Sequence, residues 1–225
     1  MGSDSSKAYL PAAGRDLFLP LYDPITRLLG LERTRRALLE QAGLAPGNRV
    51  LEIGCGTGTL MILAKKLHPD VEVVGIDPDP KALARAEAKA KRAGASIQLD
   101  RGFAGSLPYP NAGFDRVLSS MMFHHLDAGE KGKMLREVAR VLRPAGRLEM
   151  LDFAGPRSGS LGLTRLIHSQ ARLEDNVADR VLARMRDGGL GQARLVREER
   201  AFFMWLAYYQ ASPSPPRISA TPAIA

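Results

Sequence analysis

Residues 50–58 read Val50, Leu51, Glu52, Ile53, Gly54, Cys55, Gly56, Thr57, Gly58, a short β-rich run that ends in glycines at alternate positions. Alternate glycines let a backbone turn sharply and approach a ligand that side chains would exclude, and they deliver it to the N-terminus of the next helix. Such a site favours an anionic group, either a phosphate of a dinucleotide or the carboxylate of an amino-acid-like molecule. Two features favour the carboxylate. No glycine follows three residues after Gly56, and Glu52 stands two residues before the first glycine. An acid there repels pyrophosphate but can balance or hydrogen-bond the ammonium of an aminopropyl-carboxylate chain. Asp77 ends a second apolar run, where a carboxylate accepts from both hydroxyls of a ribose. That charge-assisted contact is worth about 1.5–3 kcal/mol. The plainer readings are that Glu52 is an ordinary strand-end acid and that Asp77 caps the following helix, with Asp79 as the rival cap.

Further along, His124 and His125 follow a fourth apolar run, at the edge where α/β sites form, and one of them could act as a base. His124 is the better choice, because His125 occupies the more architectural place. The competing role is structural, one ring packed and the other bonded to backbone. His168, with Asp175 and Asn176, lies in a helical cover after the fifth strand, where packing or surface roles compete with acceptor binding. Met121, Met122, Phe123, Phe202, Phe203 and Trp205 would make an apolar, adaptable wall, if they are not simply core.

These groups need elements to hold them. Helical spacing over 31–44 stops at Gly43 and Pro46-Gly47. Strand 49–53, the glycine turn and helix 59–68 then form the first unit of a doubly wound sheet. Strand 71–76, helix 80–93, strands 97–99 and 114–119, helix 128–142 and strand 147–153 continue the alternation, which implies parallel pairing with right-handed crossovers. Helical segments follow at 163–172 and 174–187. Two extended runs, 192–199 and 201–210, have no helix between them and should pair antiparallel. The expected fold is α/β, a Rossmann-like seven-stranded sheet of five parallel strands and a C-terminal antiparallel pair. One domain is expected over 20–210, with a cofactor-binding core at 48–155 and a helical acceptor cover at 156–190. A flexible arm (1–19) and a disordered, proline-rich tail (211–225) flank it.

The chain has 225 residues, 45% hydrophobic and 25% charged, the proportions of a globular protein rather than a disordered or collagen-like one. Residues 1–10 lack the charged start and apolar middle of a secretory signal, and no run nears the ~18 apolar residues of a spanning helix. Cys55 is the only cysteine, which excludes an intramolecular disulfide and a multi-cysteine zinc site and fits a reducing cytoplasm. The net charge of +8 raises nucleic acid or an anionic membrane surface as partners. Its 24 arginines and 8 lysines are scattered, however, with tight groups only at 33–36 and 89–92, and read as solvated faces.

Residues 50–58, Val74-Gly75-Ile76-Asp77, Leu107-Pro108-Tyr109, Phe114-Asp115-Arg116-Val117, Phe123-His124-His125-Leu126 and Val141-Leu142-Arg143-Pro144 together resemble successive motifs of the class I S-adenosylmethionine-dependent methyltransferases. The likeness is to the ubiquinone/menaquinone-biosynthesis type and its small-molecule and phospholipid relatives. It covers about residues 18–155; the last 70 are similar mainly in layout. The resemblance implies that Gly54, Cys55, Gly56 and Gly58 wrap the methionine moiety of the cofactor, which leaves as S-adenosylhomocysteine. It implies that Glu52 supports the loop and the ammonium, Asp77 holds the ribose, Pro78 lies on the adenine, and Ser119 lines the methionine end. Tyr22 looks like the N-terminal aromatic that folds over the cofactor, or else a packing residue. Relatives carry Gly-Asp-Ala after the third strand, whereas this chain has Gly102-Phe103-Ala104, so adenine would rest on Phe103 and the Ala104 backbone. Met122, His125 and His168 fall where an acceptor would lie.

Methyl transfer from a sulfonium is an in-line displacement, to which alignment contributes on the order of 7–11 kcal/mol. No metal is required. A base is required only where the acceptor must lose a proton, and His124 is the candidate. The expected protein is a methyltransferase for a small, hydrophobic or lipid-like acceptor, monomeric or homodimeric, with scattered arginines that suit visits to anionic membranes. The alternatives are an NAD-binding oxidoreductase and a catalytically silent cofactor-binding protein. Nucleic acid is not the expected acceptor, because Ser119-Ser120-Met121-Met122 stands where base-methylating enzymes carry Asn-Pro-Pro-Tyr or Asp-Pro-Pro-Tyr.

Overall fold

A computed structural model describes residues 31–155, 176–201 and 204–215. The first helix, α1, is Leu31–Ala42. Leu31, Arg35, Leu38, Leu39 and Ala42 fall on one helical stripe and are buried, so an arginine shares the apolar face. Gly43, at φ 54°, ends it. There follow β1 (Arg49–Ile53), α2 (Thr59–Leu67), β2 (Glu72–Asp77), α3 (Pro80–Ala93), β3 (Gln98–Arg101) and β4 (Phe114–Ser120). A 3₁₀ turn, Phe123–His125, leads into α4 (Ala128–Val141), β5 (Leu142–Phe153), α5 (Ala178–Asp187), β6 (Leu190–Ala201) and β7 (Met204–Pro213).

All seven strands form one sheet in the order β3-β2-β1-β4-β5-β7-β6. The first five pair in parallel, while β7 runs antiparallel to both β5 and β6. Chain order reverses between β1 and β4, and the crevice outside their carboxyl ends is where such sheets bind ligands.

Alternation along the strands sorts side chains onto two faces. Val50, Val73, Leu118 and Leu151 pack with Leu38 and Leu39 of α1 and Leu60 and Met61 of α2. Leu51, Ile53, Val74, Val117 and Met150 pack on the other face with Leu135 and Val138 of α4 and Val181 and Met185 of α5. By the same period Glu52 and Asp77 belong to the α1–α2 face and Asp152 to the α4–α5 face. The carbonyl of Ala42 accepts from Arg116 Nε (2.7 Å), near the start of β4, and from Nη2 of its β5 register partner Arg147 (3.1 Å). The opposite end of α1, with Arg35, therefore lies toward the carboxyl edge of the sheet.

Several bounds differ from expectation. β5 begins at Leu142 rather than 147, because Phe114 pairs with Leu142 before a register shift brings Arg116 opposite Arg147. β3 starts at 98 and α5 at 178, each later than the pattern indicates. β7 continues to Pro213, past the expected end of the domain at 210; proline is tolerated at a strand end, where its missing donor costs little.

Candidate functional site

The glycine loop leaves β1 with Gly54, Gly56 and Gly58 at φ 71°, 51° and 71°, values that disfavour any residue with a Cβ. Gly54 also lacks space: a Cβ there would lie 2.2 Å from Met122 Cγ. A Cβ on Gly56 would meet nothing within 4 Å, so the loop backbone faces open space there. Asp77 ties the loop to β2: the Gly56 N–H donates to Oδ2 (2.9 Å) and the Asp79 N–H to Oδ1 (2.9 Å). Each oxygen still has a lone pair for a ligand hydroxyl. Asp79, not Asp77, caps α3, accepting from the Lys81 N–H at 2.8 Å. Burial is the main cause raising the Asp77 pKa, and it outweighs those two N–H bonds.

Glu52 is 3% exposed and its Oε2 has no hydrogen-bond partner. Burial pushes its pKa up to about 8, with Arg35 the largest opposing influence and Asp77 a reinforcing one. An unpartnered buried carboxyl oxygen beside an open glycine cradle fits a ligand that brings its own cation. The cradle, Glu52 and Asp77 together fit the amino-acid and ribose ends of S-adenosylmethionine.

Cys55 turns its thiol into the sheet: a Cβ on Gly75 would lie 2.9 Å from Cys55 Sγ. Burial, with Glu52 and Asp77 nearby, raises its pKa well above the ordinary thiol value, so the residue offers a ligand its backbone and not a thiolate. Thr57, which the motif reading did not single out, is buried, and its Oγ1 accepts from Lys89 Nζ (3.1 Å), as does Thr59 Oγ1 (2.7 Å). Pro78 is half-buried, and its carbonyl takes Arg101 Nε at 3.3 Å. Phe103 is 46% exposed, while Ala104 is half-buried against the core. Asp100 accepts from the Tyr109 hydroxyl (2.9 Å) and from Gln98 Nε2 (2.8 Å). Ser119 is buried with an unpartnered Oγ. It follows Leu118, the register partner of Glu52, so alternation turns it to the face away from Glu52.

Beyond β4, Met121 adopts φ 56°, unusual for a side chain of its size, and Met122 then covers Gly54. His124 is 3% exposed. Its ring Nδ1 lies 2.8 Å from Asp152 Oδ1, and its N–H donates to Oδ2 at 3.3 Å. His124 and its hydrogen bonds lower the Asp152 pKa against the larger effect of burial. An ionised carboxylate only accepts, so His124 Nδ1 is the donor toward Asp152. His125 is less buried and packs its ring 4.0 Å from that of His124. Asn176 Nδ2 donates to Asp152 Oδ1 (3.2 Å), and its Oδ1 takes Lys131 Nζ (2.9 Å), a lysine with no exposed surface. The sequence reading passed over Asp152 and Lys131 because one sits in a strand and the other in a helix with no motif around it. Tyr22, His168, Asp175, Phe202 and Phe203 lie outside the described residues.

Residues 50–146 match the family model described as a methyltransferase domain. The chain is similar to a demethylmenaquinone methyltransferase of Thermus thermophilus, 36% identical over 154 residues that cover 67% of this chain and 69% of that protein. It is 39% identical to one of Deinococcus radiodurans, over 67% of this chain and 63% of that protein, a little under two thirds of its length. In fold it is similar to a solved S-adenosylmethionine-dependent methyltransferase from Aquifex aeolicus, with a TM-score of 0.61 at 22% identity, covering 78% of this chain and 88% of that one. With the glycine cradle, Glu52 and Asp77 at the carboxyl ends of β1 and β2, this chain belongs to the class I S-adenosylmethionine-dependent methyltransferases of the ubiquinone/menaquinone-biosynthesis type.

Proposed function

We propose that this methyltransferase acts on a small, hydrophobic acceptor of the quinol or phenol kind. The observation that carries the reading is Met122 lying across Gly54, which sets an apolar, polarizable side chain beside the loop that holds the methionine end of the cofactor. The names of the relatives, which specify demethylmenaquinone, agree with it. S-adenosylmethionine, when bound, supplies a methyl group on a positively charged sulfur. This chain's residues then have three tasks. Glu52 and the loop backbone hold the amino-acid end, and Asp77 the ribose, with Pro78, Phe103 and Ala104 flanking the base. Met122 and His125 bound the acceptor. His124, oriented by Asp152, takes the proton when the acceptor is a quinol ring carbon or a phenol, and an acceptor without a proton to lose does not need it.

Among the described residues no helix is long and apolar enough to cross a membrane. As part of the same proposal, the enzyme is a cytoplasmic monomer or homodimer that meets lipid-like acceptors by peripheral contact of its arginines with anionic lipid. The test is methyl transfer from isotope-labelled S-adenosylmethionine to naphthoquinols, simple phenols and phosphatidylethanolamine vesicles, with DNA and RNA as controls. Label in a quinol or phenol, lost in Asp77→Ala, is expected. Label confined to phospholipid or nucleic acid would replace the acceptor class.

A further inference from the structure

Glu52 is not the only charged group buried at the carboxyl edge with an unsatisfied atom. Arg35, on the second turn of α1, is 7% exposed, and its Nη1 is buried without a hydrogen-bond partner. Leaving a guanidinium N–H unsatisfied in the interior is costly, so an arginine placed there implies a partner that arrives. Two independent arguments put it beside the cofactor cradle. Glu52 shares the alternation of Val50, which packs with Leu38 and Leu39 on the stripe of α1 that also carries Arg35. The Ala42 end of α1 is fixed at the opposite edge by Arg116 and Arg147.

Among the described residues no ion pair joins Arg35 to Glu52, although Arg35 is the cation that most influences the Glu52 carboxyl. A buried cation and a buried carboxyl, each with a buried atom that has no hydrogen-bond partner and with no ion pair between them, are complementary to a zwitterion set between them. We propose that Arg35 and Glu52 form the two halves of a clamp for the α-amino-acid head group of S-adenosylmethionine, Arg35 taking the carboxylate and Glu52 the ammonium. This rests on the cofactor reading above. Lys89 is the other nearby cation, but its Nζ already donates to the hydroxyls of Thr57 and Thr59.

The clamp is tested by removing the carboxylate from the ligand as well as the guanidinium from the protein. Calorimetric titration would compare S-adenosylmethionine, S-adenosylhomocysteine and decarboxylated S-adenosylmethionine on wild type, Arg35→Gln, Arg35→Lys and Lys89→Met, with thermal unfolding confirming that each variant is folded. Wild type is expected to prefer the carboxylate-bearing ligands by about 10- to 100-fold. Arg35→Gln is expected to abolish that preference, weakening S-adenosylmethionine and S-adenosylhomocysteine by the larger factor, while the decarboxylated ligand loses only the smaller part that follows from a Glu52 carboxyl no longer held down by Arg35. Arg35→Lys should retain part of the preference, and Lys89→Met all of it. Preserved discrimination in folded Arg35→Gln, or an equal loss for all three ligands, would overturn the clamp while leaving the cofactor assignment standing. Wild type that binds none of the three would overturn the cofactor reading and the clamp with it.

Discussion

A carboxyl group as deeply buried as Glu52 carries its proton at neutral pH, since its pKa sits at about 8 rather than 4.5. The charged groups facing it are Arg35 from α1, Asp77 from β2 and Lys89 from α3, with the Met61 N–H of α2 as a bond donor. Because the folded-state pKa is raised, the folded protein binds the extra proton between those two values. Stability should therefore decline as pH rises from about 4.5 to about 8, and Glu52→Gln should flatten that part of a denaturation–pH profile. The same proton must leave when a cationic head group binds. Affinity for S-adenosylmethionine should rise with pH up to about 8, by at most about tenfold per unit, and calorimetry in buffers of different ionisation enthalpy should register proton release. Glu52→Gln should bind more weakly and lose the pH slope.

At the scale of elements, the loop between β1 and α2 depends on glycine for both conformation and room. Gly54→Ala places a Cβ at positive φ, costing about 1–2 kcal/mol, and drives it into Met122. Chemical denaturation should show a loss of at least that size with cofactor affinity reduced, and Met122→Ala in the same background should recover the steric part alone. α3 begins on the Asp79 cap, so Asp79→Ala should cost about 1 kcal/mol in the same assay. Asp77→Asn should abolish cofactor binding and also cost about 1–3 kcal/mol, because the amide keeps one acceptor oxygen for the two N–H groups that Asp77 satisfies. The alternation of strands and helices was readable from apolar periods and from Gly and Pro stops. The start of β5 was not, since Leu142 joins the sheet through pairing with Phe114 across a register shift that no local pattern encodes.

Across the whole molecule, the α4–α5 face contains a buried polar chain, His124 to Asp152 to Asn176 to Lys131, that links the 3₁₀ turn after β4 with β5, α4 and the entry to α5. Burying charges is tolerable only when each has partners, so removing one should cost more than a surface change. Asp152→Asn is expected to lose roughly 3–5 kcal/mol by urea unfolding. Because Asp152 is held below the usual carboxylate range, its contribution is present above that range and lost as pH falls through the depressed value, so wild type should share the defect only in strong acid. His124→Asn should lower the rate with quinols or phenols, which must lose a proton, and leave the rate with an acceptor that has none to lose unchanged, as comparative turnover assays would show.

Motifs that act through backbone, or through the end of one strand, were legible in order along the chain, because their chemistry depends on local spacing. Gly54, Gly56, Gly58, Glu52 and Asp77 were singled out that way, and the strand that follows each helix set the class of sheet. Residues that act through partners remote in sequence could not be found so. Arg35 sat in a basic group, 33–36, that composition assigns to a solvated face, although its helical phase with Leu31, Leu38 and Ala42 already put it on the buried stripe. Asp79 and Asp77 were rival caps until geometry gave the cap to Asp79. Ser119 was placed beside the methionine by its position after β4, yet strand alternation turns it to the other face. His124 needs Asp152, 28 residues away, and Lys131 needs Asn176, 45 away. Such pairings exist only once the sheet has brought the ends of β4 and β5 together, because a buried charge chooses its partner by distance in space and not along the chain.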